Sequence, residues 1–333
     1  MESLRLGKNW WRAQRMASFG MGVDTTVGVR LKGSPRDGQT RPAVTAQLSL
    51  VALSHSRKLE PGMSSRKTQS SMVTSRWFTA LVLGMLASIA GAAKPPEPPF
   101  HPSVGQRFVP SDVDWMHPAY RTSFDDDSAL KEWRLEGGRR MSVVSGKLVL
   151  ESEPGQKDNH LVCWLDREMP ADFLLELALR PRDRKEGLTI VFFNTRGRRG
   201  EGIFDPALKP RTGVFEQYHS SDLNGYHISY WAGARGTANL RKNAGFNLVA
   251  TGPDYVTKGP ADAFQTVRIY KRGGMIRLMV DDVISVAFDD DGKTHGPVWN
   301  HRGWIGLRQM GRTVRCEYDS FAVYPLKEAV EAR

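Results

Sequence analysis

The sequence predicts one all-β sandwich, running from about Tyr120 to about Leu326, and three observations carry that prediction. Beyond Tyr120, short apolar stretches alternate with Gly, Pro, Asp and Asn punctuation at intervals of roughly 8–12 residues, the spacing of a sandwich or barrel. Val144-Ser145-Gly146-Lys147 and Arg272-Gly273-Gly274-Met275 place glycine between alternating stretches, where a tight hairpin needs positive φ. No long amphipathic helical period and no repeat of fixed length runs through the same region.

Taken in order, the expected strands are Met141–Val144, Lys147–Glu151, His160–Leu165, Phe173–Arg180, Leu188–Asn194, Gly213–Gln217, Gly225–Trp231, Ala238–Lys242, Phe264–Lys271, Met275–Val280, Val283–Phe288, Gly303–Gln309 and Val314–Tyr324. So many strands around one core imply two large stacked antiparallel sheets in a jelly-roll-like sandwich. Asp281-Asp282, between Leu278-Met279-Val280 and Val283-Ile284-Ser285, marks a third hairpin and reads as a solvated turn rather than a catalytic dyad.

The segment ahead of the domain has a different character. Residues 1–71 show no sustained period of either kind and read as non-structural, the product of a start codon placed too early, with Met63 or Met72 the expected start. From Met72, Arg76 precedes the apolar run Trp77 to Ala87, and Ala90-Gly91-Ala92 follows, which reads as a secretory signal peptide over 72–92. The run is interrupted by small residues and falls short of the ~20 needed to cross a bilayer, so no stable membrane insertion is expected after cleavage. The expected destination is periplasmic or extracellular. Residues 93–119 form a linker and lead-in, beginning with the proline-rich Lys94-Pro95-Pro96-Glu97-Pro98-Pro99.

Processing changes the charge argument. The whole chain carries 47 basic and 36 acidic residues, net +11, but residues 1–92 hold 13 of the basic and 4 of the acidic ones, leaving 34 against 32, or +2. A nucleic-acid partner needs a basic footprint that survives processing, so none is expected. A nucleotide site is not supported either, since the glycines of Gly197-Arg198-Arg199-Gly200-Glu201-Gly202 lead into no helix. Cys163 and Cys316 lie in strands early and late in the domain. A disulfide between them would contribute on the order of 4–5 kcal/mol, and two buried free thiols are the equal alternative.

Tyr226-His227-Ile228-Ser229-Tyr230 and Asn239-Leu240-Arg241-Lys242-Asn243-Ala244-Gly245-Phe246 resemble the domain-of-unknown-function family 1961. Val191-Phe192-Phe193-Asn194, Phe204-Asp205-Pro206-Ala207-Leu208, Gly303-Trp304-Ile305-Gly306-Leu307-Arg308-Gln309-Met310 and Tyr318-Asp319-Ser320-Phe321-Ala322-Val323-Tyr324 extend the resemblance over nearly all of residues 120–325. The resemblance implies a concanavalin A-like jelly-roll sandwich of the lectin/glucanase type and an association with polysaccharide degradation. A retaining glucanase of this fold would carry Glu-x-Asp-x-x-Glu on one strand. The nearest approach here, Glu317-Tyr318-Asp319-Ser320-Phe321-Ala322, ends in alanine.

What the residues offer instead is a cluster of His, Tyr, Arg and Asn between Glu216 and Asp254. Strand alternation sends Tyr226, Ile228 and Tyr230 to one face and His227, Ser229 and Trp231 to the other. Since Ile228 suits the core, His227 and Trp231 are expected toward a sugar, imidazole moving a proton and indole stacking on a pyranose. The ordinary alternative, weighed equally, is a satisfied histidine and a core tryptophan. Asn239, Arg241 and Asn243 share a face suited to a carboxylate or an enolate oxygen. In that arrangement His227, His219 or Tyr226 would remove the proton, Arg241 would stabilise the charge, and Asn239, Asn243, Trp231, Asp254 and Gln309 would bind substrate. Of Arg308 and Gln309, which point to opposite faces, at most one reaches it. No cofactor is expected, although Asp125-Asp126-Asp127 and Asp289-Asp290-Asp291 could supply oxygen ligands to calcium.

The expected function is that of an exported carbohydrate-active protein. Its partner would be an oligosaccharide or polysaccharide, bound and then cleaved or modified by an elimination-type or 3-keto-sugar mechanism. A non-catalytic, lectin-like glycan-binding module and a structural envelope protein are the alternatives.

Overall fold

The computed structural model describes residues 97–328, apart from 153–159, 183–187, 232–234, 261, 311–312 and 314. The signal-peptide segment 72–92, residues 1–71 and the start of the proline-rich stretch lie outside the described residues.

Fifteen strands are described: β1 (Tyr120–Thr122), β2 (Trp133–Gly137), β3 (Arg140–Val143), β4 (Leu148–Glu151), β5 (Leu161–Leu165), β6 (Phe173–Pro181), β7 (Thr189–Gly197), β8 (Leu223–Tyr230), β9 (Thr237–Asn243), β10 (Asn247–Pro253), β11 (Gln265–Arg272), β12 (Met275–Val280), β13 (Val283–Asp289), β14 (Trp304–Gln309) and β15 (Arg315–Pro325). Two single-turn helices, α1 (Glu216–His219) and α2 (Tyr255–Lys258), and a 3-10 turn at Asp127–Glu132 complete the elements. One sheet of eight strands runs β13-β12-β11-β6-β15-β4-β3, with β1 also paired to β15. The other, of seven, runs β10-β9-β8-β7-β14-β5-β2. All pairings between named strands are antiparallel.

Period-two alternation builds the core between the sheets. Phe173, Leu175, Leu177 and Leu179 of β6 meet Val191 and Phe193 of β7, Tyr226, Ile228 and Tyr230 of β8, and Ile305 and Leu307 of β14. The alternate residues of the seven-stranded sheet face outward, where Val162, Trp164, Ile190, Phe192 and Leu223 form a second apolar cluster under Ile203, Leu208 and Tyr218. Gly306 makes that layer thin: a Cβ there would stand 2.5 Å from the Trp164 ring, so only glycine lets the indole lie across β14.

Two expectations change, and the cysteine alternative is decided. Gly213–Gln217 is not a strand: Gly213 has φ +92° against the backbone of His160, and the chain then turns into α1. β1, β2 and β10 form without having been anticipated, because β1 is three residues long, β2 interleaves Arg and Glu with its apolar residues and β10 ends in Gly252-Pro253, which an edge strand accepts. Cys163 and Cys316 are buried free thiols on opposite sheets, and burial pushes both up in pKa.

Candidate functional site

The ladder of the seven-stranded sheet places two rows of side chains on its outer face. In the first, Arg241 of β9 stands opposite His227 of β8, His227 opposite Phe192, Phe192 opposite Gly306, and Gly306 opposite Trp164. In the second, Thr251, Asn239, Ser229, Ile190, Arg308, Val162 and Glu136 follow one another from β10 to β2. His227 and Arg241 are thus cross-strand neighbours, as alternation from Ile228 and Leu240 requires.

Two loops close over this part of the sheet. The turn carrying α1 brings in Phe215 and His219, and the β9–β10 hairpin brings in Phe246, whose φ of +59° folds it back toward β9. The hairpin and the turn are tied where the Gly245 amide donates to the His219 carbonyl at 2.7 Å. The rings form one cluster. Phe246 lies 4.3 Å from His219, 5.3 Å from Phe215 and 5.8 Å from His227, nearly parallel to the last. Phe215 is 4.4 Å from His219. The Arg241 guanidinium sits 3.8 Å from the Phe246 centroid and donates to that residue's carbonyl at 2.8 Å, while Arg308 sits 4.1 Å from the Phe215 centroid.

The electrostatics follow from burial among cations. His219, 8% exposed, is held down to about 4 by desolvation and then by Arg308 and Arg241. His227, 1% exposed, lies well below the ordinary histidine range through burial, Arg241, His219 and Arg308, opposed by its bond to Asn243. Both imidazoles are neutral at neutral pH. Burial also brings Arg241 down to about 10 and Arg308 to about 9. Asn243 Oδ1 stands 3.2 Å from His227 Nδ1, and His227 Nε2 is buried without a hydrogen-bond partner. Asn243 Nδ2 stands 3.0 Å from the same Nδ1, so the ring carries its proton either on Nδ1, donating to Oδ1, or on Nε2, with Nδ1 accepting from Nδ2. His219 Nδ1 lies 2.6 Å from Ser220 Oγ.

Of the residues expected at the site, the structure brings together His227, Arg241, His219 and Asn243, with Asn239 in the adjoining row, its Oδ1 accepting from Thr251 Oγ1 at 2.9 Å. Four belong elsewhere. Tyr226 faces the interior, where its hydroxyl donates to Asp290 at 2.6 Å and accepts from the Trp299 amide at 3.0 Å, and burial raises its pKa. Trp231 is fully buried between the sheets, because φ of +54° breaks the alternation that would have turned it outward. Gln309 is an inner-face residue whose amide donates to Ser152 Oγ at 3.1 Å. Asp254 caps α2, accepting from the Thr257 amide at 3.2 Å.

The carboxylates are engaged as well. Glu317 and Asp319 lie on β15 of the other sheet, paired with Arg180 at 2.7 Å and Lys147 at 2.5 Å. Glu136, on the outer face, accepts from Trp164, Tyr218 and Arg211. Asp290 is bound by Lys242 and Tyr226, Asp289 by Arg277, and Asp291 by the Lys293 and Thr294 amides. Asp125 accepts from Ser123, Asp126 caps the 3-10 turn, and Asp127 stands 3.4 Å from the Val143 amide. Among the described residues, no group of three or more His, Cys, Asp or Glu is placed to hold a metal ion.

Sequence reasoning missed Phe215, Phe246 and Arg308. Alternation across Trp304-Ile305-Gly306-Leu307-Arg308-Gln309 assigns Arg308 to the face opposite core Leu307, and that signal was sufficient to choose it over Gln309. The phenylalanines come from turns, which carry no period.

This architecture is a concanavalin A-like jelly roll with a histidine–arginine cluster on the outer face of one sheet. The sequence profile of the family described as Domain of unknown function (DUF1961) matches residues 118–323, and the chain belongs to that family. It is 35% identical over 212 residues to the uncharacterised protein YesU of Bacillus subtilis (strain 168), covering 62% of this chain and 94% of YesU. A crystal structure of a Bacillus subtilis protein of unknown function with a galectin-like fold superposes with a TM-score of 0.59 at 33% identity, over 65% of this chain and all of that one. A laminarinase from Rhodothermus marinus matches 63% of this chain and 98% of its own at 14% identity, with a TM-score of 0.42.

Proposed function

We propose that the outer face of the seven-stranded sheet is a saccharide site and that the protein acts, after export, on an oligosaccharide derived from a polysaccharide. The reaction supported best is a carbonyl-activated elimination, on an acidic or a 3-keto sugar. The observation that carries this reading is the pairing of His227 and Arg241 across β8 and β9, with His219 above them.

The chemistry fits the parts. A neutral imidazole is ready to accept a proton from the carbon next to a carboxyl or keto group. The electron pair left behind forms the C=C bond as the glycosidic C–O bond breaks, and the leaving oxygen takes a proton from water. Arg241 and the amides of Asn243 and Asn239 stabilise the negative charge that develops on the carbonyl oxygen. His219, the more accessible of the two histidines, is placed to meet substrate, and His227 behind Phe246 is a positioning residue. Two-carboxylate hydrolysis is less well supported, since Glu136, the carboxylate in the outer-face rows of described residues, is held by three donors.

A second reading, a glycan-binding module without turnover, is favoured by the enclosure of His227 Nε2. Incubating the protein with neutral, uronate and 3-keto oligosaccharides separates the two. Unsaturated products or new reducing ends that vanish in His219→Ala and Arg241→Ala support the enzyme. Binding without product on every substrate establishes the module. Export rests on the 72–92 segment, and mass spectrometry of the native N-terminus tests it.

A further inference from the structure

Arg308 is 2% exposed, its Nε is enclosed without a hydrogen-bond partner, and no described residue accepts a hydrogen bond from its side chain or brings a carboxylate within 4.0 Å. A buried guanidinium without an anion is costly, and proteins ordinarily pair it. The same domain does so where other arginine side chains are buried: Arg211 meets Glu136 and Arg277 meets Asp289. Arg235 and Arg241, on the same face as Arg308, also have no carboxylate of a described residue within 4.0 Å; they bond to backbone carbonyls and, in Arg235, to Ser229 Oγ. Arg308 thus shares the outer face with the histidines and with Arg241 and Arg235; the Glu97 carboxylate acts at longer range on those two, while Arg308 is the fully buried one of the three.

We infer that this face takes a saccharide bearing a carboxylate, a uronic acid unit, whose carboxylate is held by Arg308 with Arg241 as the second cation. The inference rests on the reading of the face as a saccharide site and narrows its substrate from acidic or keto sugars to acidic ones. Arg308 is held for this role by its seat on Phe215, which fixes the guanidinium plane while leaving its N–H groups uncommitted. A planar carboxylate satisfies two of those donors at once. It also supplies the anion that Arg308 has no described partner for, and the neutral His219 ring packs 4.4 Å from Phe215, the ring on which Arg308 is seated. A sulfate ester would satisfy the same cations, but it offers no carbonyl to activate that carbon.

The test is calorimetric titration of the whole protein with uronate trimers, the corresponding neutral trimers and sulfate esters of the neutral trimers. The uronate trimer is expected to bind at least about 10-fold more tightly than the neutral one. Arg308→Met is expected to abolish that preference and to raise the melting temperature of the ligand-free protein, because it removes a buried unpaired charge. Arg241→Gln, at a half-buried position, is expected to reduce the preference as well and guards against a folding failure in the first variant. Equal affinity for uronate and neutral trimers, unchanged in both variants, would overturn the inference while leaving a saccharide site. Tighter binding of the sulfate ester would overturn the assignment to a carboxylate. Failure of every trimer to bind would overturn the saccharide reading and the inference with it.

Discussion

Phe215 and Phe246 meet edge to face with centroids 5.3 Å apart, and each carries one arginine guanidinium on its ring. The pair shields His227 from water while holding two cations beside it. Shielding is therefore what keeps the imidazole neutral, and removing a shield should show it. In Phe246→Ala, His227 is expected to rise back toward the ordinary histidine value, appearing as an imidazole titration between pH 5 and 7 that the wild type lacks. A ring that stays silent in the variant would mean that Arg241 and Arg308 alone suppress its charge.

Folding stability should depend on pH through the same histidines. His219 has its folded pKa lowered to about 4 from an ordinary value of 6.5. Between those values the unfolded chain binds more protons than the folded one, so stability is fully present above about pH 6.5 and is lost as pH falls toward about 4. His227 extends the loss in the same direction. Thermal melts from pH 7 to pH 4 should show the decline, and His219→Gln should flatten it. An unchanged slope in that variant would assign the effect to other groups.

The interior face of the same strands offers a different test. Lys242 Nζ and Asp290 are fully buried at 2.7 Å, with Tyr226 completing the carboxylate's bonds and the Thr294 and Gly296 carbonyls those of the lysine. Lys242→Met or Asp290→Ala alone strands a buried charge and should cost about 3–5 kcal/mol in urea unfolding. Replacing both by apolar residues of similar volume should cost much less. Equal losses in single and double variants would show that packing, not charge, is at stake.

The free thiols make a simpler prediction. Cys163 and Cys316 lie on different sheets, and Cys163 Sγ contacts Met141 Sδ at 3.0 Å. Neither should react with a thiol reagent in the folded protein, both should react in denaturant, and the melting temperature should not respond to reductant. A drop in melting temperature on reduction would contradict the pairing-free arrangement.

The sandwich was legible because alternation and glycine turns are local signals that the core then uses directly. β6, β11, β12 and β13 fall close to where the pattern puts them, each being bounded by turn residues. That His227 and Arg241 share a face was legible for the same reason; that His227 is 1% exposed behind Phe246, rather than open to a sugar, was not, because the covering ring comes from a turn. Trp231 was not, since one residue of positive φ reverses its face without leaving a trace in composition. Tyr226 was misplaced because its chemistry drew attention that the alternation should have overruled: it shares a face with Ile228. Asp254 shows the complementary limit, an acid next to a helix that is too short to be seen before its cap is seen.

One consequence of the lead-in concerns solubility. Residues 105–108 run beside β13, the Gly105 and Phe108 amides donating to the Ile284 and Asp282 carbonyls and the Ile284 amide to Gln106, with Arg107 bridged to Val283. That stretch occupies the hydrogen-bonding row of a terminal strand which would otherwise stand open as a template for foreign chains. The segment leading to the sandwich thus works as a guard rail against sticking, and trimming residues 105–108 would uncover that row.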